Sequence, residues 1–265
     1  NRIIGRGYHK KFGGPHAEIN ALADCKGKGG SPAGAVMYVM LEPCCHQAKT
    51  PPCADAIIAA GVSKVVVAMT DPSEHAAGKG IEQLRNAGIE VQTGLCETEA
   101  KLLNAPFIKF AATGKCWVIL KWAQSLDGKM AYSDGGKWIS NEQSRKDAHK
   151  LRRRVEAILV GINTVIADDP LLTARPSRGK KPVRIVLDSN LRIPMDCKLL
   201  DTVKGAPVLI VTSNEAIQAN QELAERIEQK GVELLAIPVE QGRCDISFLT
   251  RELSKHNVAQ LLVEG

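Results

Sequence analysis

The chain has 265 residues, enough for two ordinary domains, and its 44% hydrophobic and 24% charged residues are the balance of a soluble globular protein. No apolar run approaches the roughly 18 residues of a membrane span, and no secretory leader opens the chain, so the expected compartment is the cytoplasm and a membrane is not an expected partner. A net charge of +6 suits anionic ligands, while 4% aromatic residues leave little material for stacking bases, so nucleic acid is not expected either.

Short β-rich runs alternate with helical stretches, the pattern of an α/β protein. "RIIGRGYH" reads as an opening strand, and a helical pattern begins at His16. Strands follow at 35–41, 64–69 and 89–94, with helices at 53–61 and 80–88 between them; Gly61 closes the first of these helices. Residues 97–114 read as one long helix, bent or broken at Pro106. A new strand at 116–123 restarts the alternation, with strands at 156–161, 183–188, 207–212, 232–237 and 260–265 and helices around 141–153, 214–230 and 246–256. The boundary falls near Thr113 and Gly114, giving domains 1–113 and 114–265. The basic run from Lys150 to Arg154 reads as the solvated face and end of a helix.

Eight cysteines are spread unevenly, and three of them (Cys44, Cys45, Cys53) crowd into "EPCCHQAKTPPC". In a cytosolic chain such a cluster is metal-binding or catalytic more often than cross-linked. Upstream stands "GGPHAEINAL", with His16 and Glu18 at a helix start. A catalytic zinc takes three protein ligands and leaves a fourth position to water. Hydrolytic loss of an amine then needs a non-ligating carboxylate to move protons. His16, Cys44 and Cys53 are the expected ligands and Glu18 the proton carrier, the H-x-E and P-C combination of zinc deaminases. The usual C-x-x-C spacing is absent, because Gln47 stands where its second cysteine would be. A structural zinc with His46 as fourth ligand is the competing reading, and it leaves Glu18 without a role.

"HAE … LEPC-x-H-x-x-x-T-P-P-C" resembles the deaminase domain of the bifunctional riboflavin-biosynthesis deaminase/reductases, whose two cysteines are separated by a long insert. Nucleoside and tRNA deaminases, the alternative reading, are less similar because they keep the short spacing. The strings "LKWAQSLDGKMA", "KWIS", "ILVGINTVIADDPLLTAR", "VLDSNLRIP" and the final "VEG" resemble the reductase domain of the same family, in order and spacing. The resemblance therefore covers essentially the whole chain. It implies a cytidine-deaminase-like three-layer α/β/α domain followed by a dihydrofolate-reductase-like α/β domain. It further implies Zn2+ and NADPH as cofactors, a small phosphorylated pyrimidine as substrate, and a homo-oligomer in the full-length protein. The implied reactions are deamination of 2,5-diamino-6-(5-phosphoribosylamino)pyrimidin-4-one and reduction of its ribosyl group to ribityl.

Carried over position by position, the resemblance places His9, His46, Lys49 and Thr50 at the deaminase substrate. Ala123, Trp138, Thr164, Asp168 and Ser189 fall at NADP positions. Lys129, Arg152, Leu172, Arg175 and Glu264 fall at reductase substrate positions, with Arg152 and Arg175 suited to a phosphate and Lys129 and Glu264 to orienting the sugar. A substrate-contacting serine of the family has no counterpart in "SDGGKW". Both ends read as cut relative to the family, before a T-x-P-N-P-x-V-G segment and after V-E-G. The resemblance thus implies a chain that binds zinc and, by itself, reduces poorly.

Overall fold

The computed structural model describes residues 2–11, 13–47, 50–73, 76–130, 138–176 and 181–265. The chain divides into two compact units, Asn1–Ala112 and Thr113–Gly265.

The first unit runs α1 (Ala17–Gly27), β1 (Val36–Leu41), α2 (Cys53–Ala59), β2 (Lys64–Met69), α3 (Lys79–Asn86), β3 (Glu90–Thr93), α4 (Glu97–Leu103) and α5 (Ala105–Thr113). Its strands form a parallel sheet in the order β1-β2-β3, with Val39 opposite Val67 and Val67 opposite Thr93. Successive side chains of a strand point to opposite faces. Val65 and Val67 accordingly join Leu22 of α1, Ala54 and Ile57 of α2, and Ile81 and Leu84 of α3 in one apolar cluster. Val66 is buried too, and α4 packs on β2. Each such aliphatic side chain contributes about 1.5–3 kcal/mol by leaving water.

Two expectations need correcting here. Among the described residues, 2–11 form no strand. Their polar groups go to α1 instead: the Arg6 N–H donates to the Asp24 carboxylate (2.8 Å), and Asn20 Nδ2 donates to the Tyr8 carbonyl (2.9 Å). A side chain at Gly5 or Gly7 would strike the main chain of α1, so this pair of glycines permits the approach. The helix expected over 97–114 breaks at Asn104, two residues before Pro106, which then sits in the first turn of α5, where proline's missing N–H costs nothing.

The second unit runs β4 (Trp117–Lys121), α6 (Glu142–Arg152), β5 (Ala157–Gly161), α7 (Ile162–Asp168), β6 (Val183–Leu187), α8 (Lys198–Asp201), β7 (Val208–Thr212), α9 (Asn214–Ala219), α10 (Gln221–Gln229), β8 (Glu233–Ala236), β9 (Val239–Glu240), β10 (Arg243–Cys244), α11 (Ile246–Lys255) and β11 (Gln260–Glu264). Six strands make a wholly parallel sheet in the order β4-β11-β5-β6-β7-β8. Its middle strands are near-continuous apolar runs, as expected of strands covered on both faces. Ile158, Val160, Val186 and Ile210 serve one core cluster, and Ala157, Leu159, Ile185 and Val211 the other. Asn141, Ser213 and Asp245 cap α6, α9 and α11 by accepting a main-chain N–H with their side chains. The expected helix at 214–230 is two helices, divided at Asn220.

A cation lies deep in this unit. Arg184 is 0% exposed and faces main-chain oxygens: it donates to the carbonyls of Leu171 (3.2 Å), Thr202 (3.0 Å) and Ala206 (2.5 Å) and to Thr202 Oγ1 (2.7 Å). Burial lowers its pKa to about 10. A guanidinium can fan out to four acceptors, whereas an ammonium is a compact donor on a flexible stem. Arg184→Lys is expected to lower the thermal midpoint of the second unit, at a cost of about 2–4 kcal/mol for acceptors left unserved. An unchanged midpoint would show that the carbonyls find other donors.

Candidate functional site

Three segments bring the metal-ligating candidates together. His16 caps the start of α1 with extended backbone (ψ 171°), Cys44 follows the end of β1, and Cys53 is the first residue of α2. His16 Nδ1 lies 3.5 Å from Cys44 Sγ and 3.3 Å from Cys53 Sγ, and the three donor atoms fall within 4.8 Å of one another. Zn–N near 2.0 Å and Zn–S near 2.3 Å set at a tetrahedral angle would space nitrogen and sulfur about 3.5 Å apart. The donor set and its spacing therefore fit zinc. Among the described residues, this trio is the cluster with metal-ligand geometry; neither Cys45 nor His46 belongs to it.

The surrounding main chain holds the sulfurs. The Cys53 N–H donates to Cys44 Sγ (3.3 Å) and the Ala54 N–H to the Cys44 carbonyl (3.1 Å), so the positive end of α2 points at Cys44. The thiol of Cys53, more than the opposing burial, brings the Cys44 pKa down to about 5, helped by the Cys53 N–H and by His16. The Cys53 pKa is pushed up, by its bond to Cys44 and then by burial. Glu18 stands in the first turn of α1, two residues from His16. Burial raises its pKa, against the pull of a main-chain N–H and His16. A carboxyl raised in this way is suited to carrying a proton near neutral pH.

A residue that sequence reasoning missed fixes the loop. Glu42, 3% exposed, accepts four main-chain N–H groups: Asp71 (3.1 Å) and Gly78 (3.0 Å) at Oε2, Gly80 (2.9 Å) and Ile81 (3.2 Å) at Oε1. α3 has no side-chain cap of its own, so Glu42 satisfies its first-turn donors from the end of β1. A Cβ at Gly80 would strike the Pro43 carbonyl. The available signal was the acidic residue before Pro-Cys at a strand end.

The supporting residues of the first unit are less gathered. The rings of His9 and His16 meet edge to face with centroids 5.3 Å apart. His46 is exposed, Thr50 is half-buried, and Lys49 lies outside the described residues.

In the second unit, Ala123, Glu264 and Ser189 lie at or just past the carboxyl ends of β4, β11 and β6, while Thr164 and the exposed Asp168 lie on α7, which leaves the end of β5. Parallel open sheets take ligands at this edge. Trp138 is exposed with the Arg145 guanidinium 4.6 Å above its ring, and Ser189 Oγ lies 3.3 Å from Cys244 Sγ. Arg152 and Glu264 form a two-bond pair, Nε to Oε1 at 2.6 Å and Nη2 to Oε2 at 2.7 Å, with Lys121 at 3.7 Å from Glu264. Burial works to raise the Glu264 pKa, but Arg152 and then Lys121 outweigh it and hold it below the ordinary 4.5. Lys129 Nζ pairs with Asp127 at 2.7 Å rather than with Glu264. Leu172 is buried and Arg175 exposed.

A nitrogen and two sulfurs at zinc spacing beside a buried carboxyl of raised pKa are what a zinc-dependent deaminase carries, and the first unit falls in that class. Residues 1–69 match the cytidine and deoxycytidylate deaminase zinc-binding region, and residues 116–265 match the RibD C-terminal domain. The riboflavin biosynthesis protein RibD of Aquifex aeolicus is 47% identical over 100% of this chain and 71% of its own length; that of Escherichia coli is 38% identical over 99% and 72%. The crystal structure of the Thermotoga maritima diaminohydroxyphosphoribosylaminopyrimidine deaminase/5-amino-6-(5-phosphoribosylamino)uracil reductase superposes with a TM-score of 0.86 at 38% identity, covering 100% of this chain and 71% of that one. Acinetobacter baumannii RibD gives 0.82 at 40% identity, covering 99% and 70%. The chain belongs to the RibD family of bifunctional riboflavin-biosynthesis enzymes.

Elemental analysis is expected to find one zinc per chain, lost with Cys44→Ser or Cys53→Ser and kept with Cys45→Ser. Glu42→Gln, which turns an amide NH2 toward main-chain donors, is expected to weaken zinc retention against a chelator. Zinc lost with Cys45→Ser would discard this ligand set.

Proposed function

We propose that the chain carries out two steps of riboflavin biosynthesis: hydrolytic deamination of 2,5-diamino-6-(5-phosphoribosylamino)pyrimidin-4-one in residues 1–113, then NADPH-dependent reduction of the ribosyl group to ribityl in residues 114–265. The observation that carries the reading is His16, Cys44 and Cys53 at zinc spacing with Glu18 in the first turn of α1. Zinc, when bound, supplies a water whose pKa falls toward ~7.

Glu18 manages the protons. It takes one from the attacking water to the ring nitrogen and passes a second to the departing amine, so that a C–O bond forms, the exocyclic C–N bond breaks and ammonia leaves. His9, packed edge-on against His16, borders the space where the ring sits; His46, Lys49 and Thr50 hold the remainder of the substrate.

NADPH supplies the hydride to the second reaction. Ala123, Trp138, Thr164, Asp168 and Ser189 fit it, since four of them follow the carboxyl ends of parallel strands. Arg152 is already engaged by Glu264, which favours that pair for orienting the sugar together with Lys129. The exposed Arg175 takes the phosphate beside Leu172. A homo-oligomer is part of this reading, as is the absence of nucleic acid; among the described residues no helix is long and apolar enough to cross a membrane.

Glu18→Gln is expected to lower deamination by about 10²–10⁴-fold while zinc content stays at the wild-type value. Deamination that survives the substitution would remove Glu18 from the chemistry and revive a structural metal.

A further inference from the structure

Trp138 stands just before α6, and Arg145 folds back onto it. The guanidinium carbon lies 4.6 Å from the centre of the indole, and Nη1 donates to the Ser140 carbonyl at 2.5 Å. Arg145 therefore holds both ends of the stretch from Trp138 to Ser140. Asn141 follows directly and caps the helix by accepting the Ser144 N–H (2.8 Å). The indole is 60% exposed even with the guanidinium over it, so the ring keeps surface for a ligand.

The cation sits against the helix dipole. Arg145 is the fourth residue of α6, near the end that is positive and disfavours a cation. Its neighbour Lys146 is compensated by Glu142 at 2.9 Å, whereas among the described residues no carboxylate pairs with Arg145. What it has instead is the ring and the carbonyl. A planar guanidinium can lie over an aromatic face and still donate from its edge, which a compact ammonium does not reproduce. Arginine is the residue that joins both contacts.

We infer that Arg145 is a positioning residue of the cofactor site: it fixes the segment before α6 and backs the Trp138 indole, so that the ring is held ready for NADPH. The inference rests on the reading of Trp138 as a cofactor position. Arg145 acts through that ring, not by pairing with a phosphate of the dinucleotide.

The test measures NADPH binding by calorimetry in the zinc-loaded full chain, for the wild type, Arg145→Leu, Arg145→Lys, Trp138→Leu and the double variant with leucine at both positions. Loss of an exposed cation–π pair predicts about two- to fivefold weaker binding for Arg145→Leu. Arg145→Lys, which keeps the charge, should stay weaker than the wild type. In the Trp138→Leu background, Arg145→Leu should change nothing further. Transfer of tryptophan excitation to bound NADPH gives a second reading: the part that Trp138→Leu removes should fall in Arg145→Leu at saturating cofactor. Wild-type affinity in Arg145→Lys, or a further loss in the double variant, overturns the inference, because the charge then acts on the cofactor directly. Unchanged transfer overturns it too, as does wild-type binding by Arg145→Leu when Trp138→Leu binds poorly. If the wild type does not bind, or Trp138→Leu binds as the wild type does, the reading of Trp138 itself fails and takes this inference with it. Should Arg145→Leu not fold, Arg145→Lys carries the same comparison in both backgrounds.

Discussion

The Glu42 carboxylate gathers four main-chain N–H groups, and the geometry of the zinc site depends on that convergence. A buried carboxylate is costly unless charge-assisted hydrogen bonds satisfy it, and here both oxygens are served twice. The arrangement ties the end of β1 to the loop after β2 and the first turn of α3, a continuous stretch 29–39 residues further along the chain. Pro43 and Cys44 follow directly, so their placement is inherited from it. Gly80 belongs to the same device, since a larger residue would meet the Pro43 carbonyl. From the other side, α2 directs its first N–H groups at Cys44, and α1 delivers His16 and Glu18 from its own start. The site is thus assembled from a strand end and helix beginnings, where the main chain has unmatched polarity to offer.

The second unit solves a similar problem with side-chain cations. Glu264 at the end of β11 is held by Arg152 from α6, and Arg152 also reaches the Thr173 carbonyl. One guanidinium therefore joins a strand end to the loop after α7. Arg184, buried and with no carboxylate partner among the described residues, secures the start of that loop through main-chain oxygens. Rigid strands place the ends, and planar multi-donor groups fix the irregular segments between them.

Much of this was legible in the sequence because it is local. The apolar runs at 64–69, 157–161 and 208–212 are strands, and the H-x-E and P-C combination points to a metal although the C-x-x-C spacing is absent. Other features were not legible, for identifiable reasons. α7 lies in "GINTVIADD", seven helical residues that include β-branched threonine, valine and isoleucine and follow a strand without a turn signal. α8 and the β9–β10 hairpin are too short to show a period. "RIIGRGYH" has a strand's composition, but pairing is a property of the neighbour, and here the neighbour is a helix. The role of Glu42 depends on main-chain groups brought near by the fold, which no residue pattern records. The Arg152–Glu264 pair joins positions 112 apart; family resemblance could flag both residues, but their mutual engagement emerges only in three dimensions.

The strand order of the second unit has a consequence for how it comes into being. β11, at residues 260–264, lies between β4 and β5, so residue 117 waits for residue 260 as its partner. During synthesis the first unit, whose strands pair in the order they emerge, can acquire its sheet early. The second has a gap beside β5 until β11 leaves the ribosome, and contacts of such long range are slow to close. Until then the edges of β4 and β5 stand open to any other extended chain, which makes this interval the period of greatest exposure to misassembly.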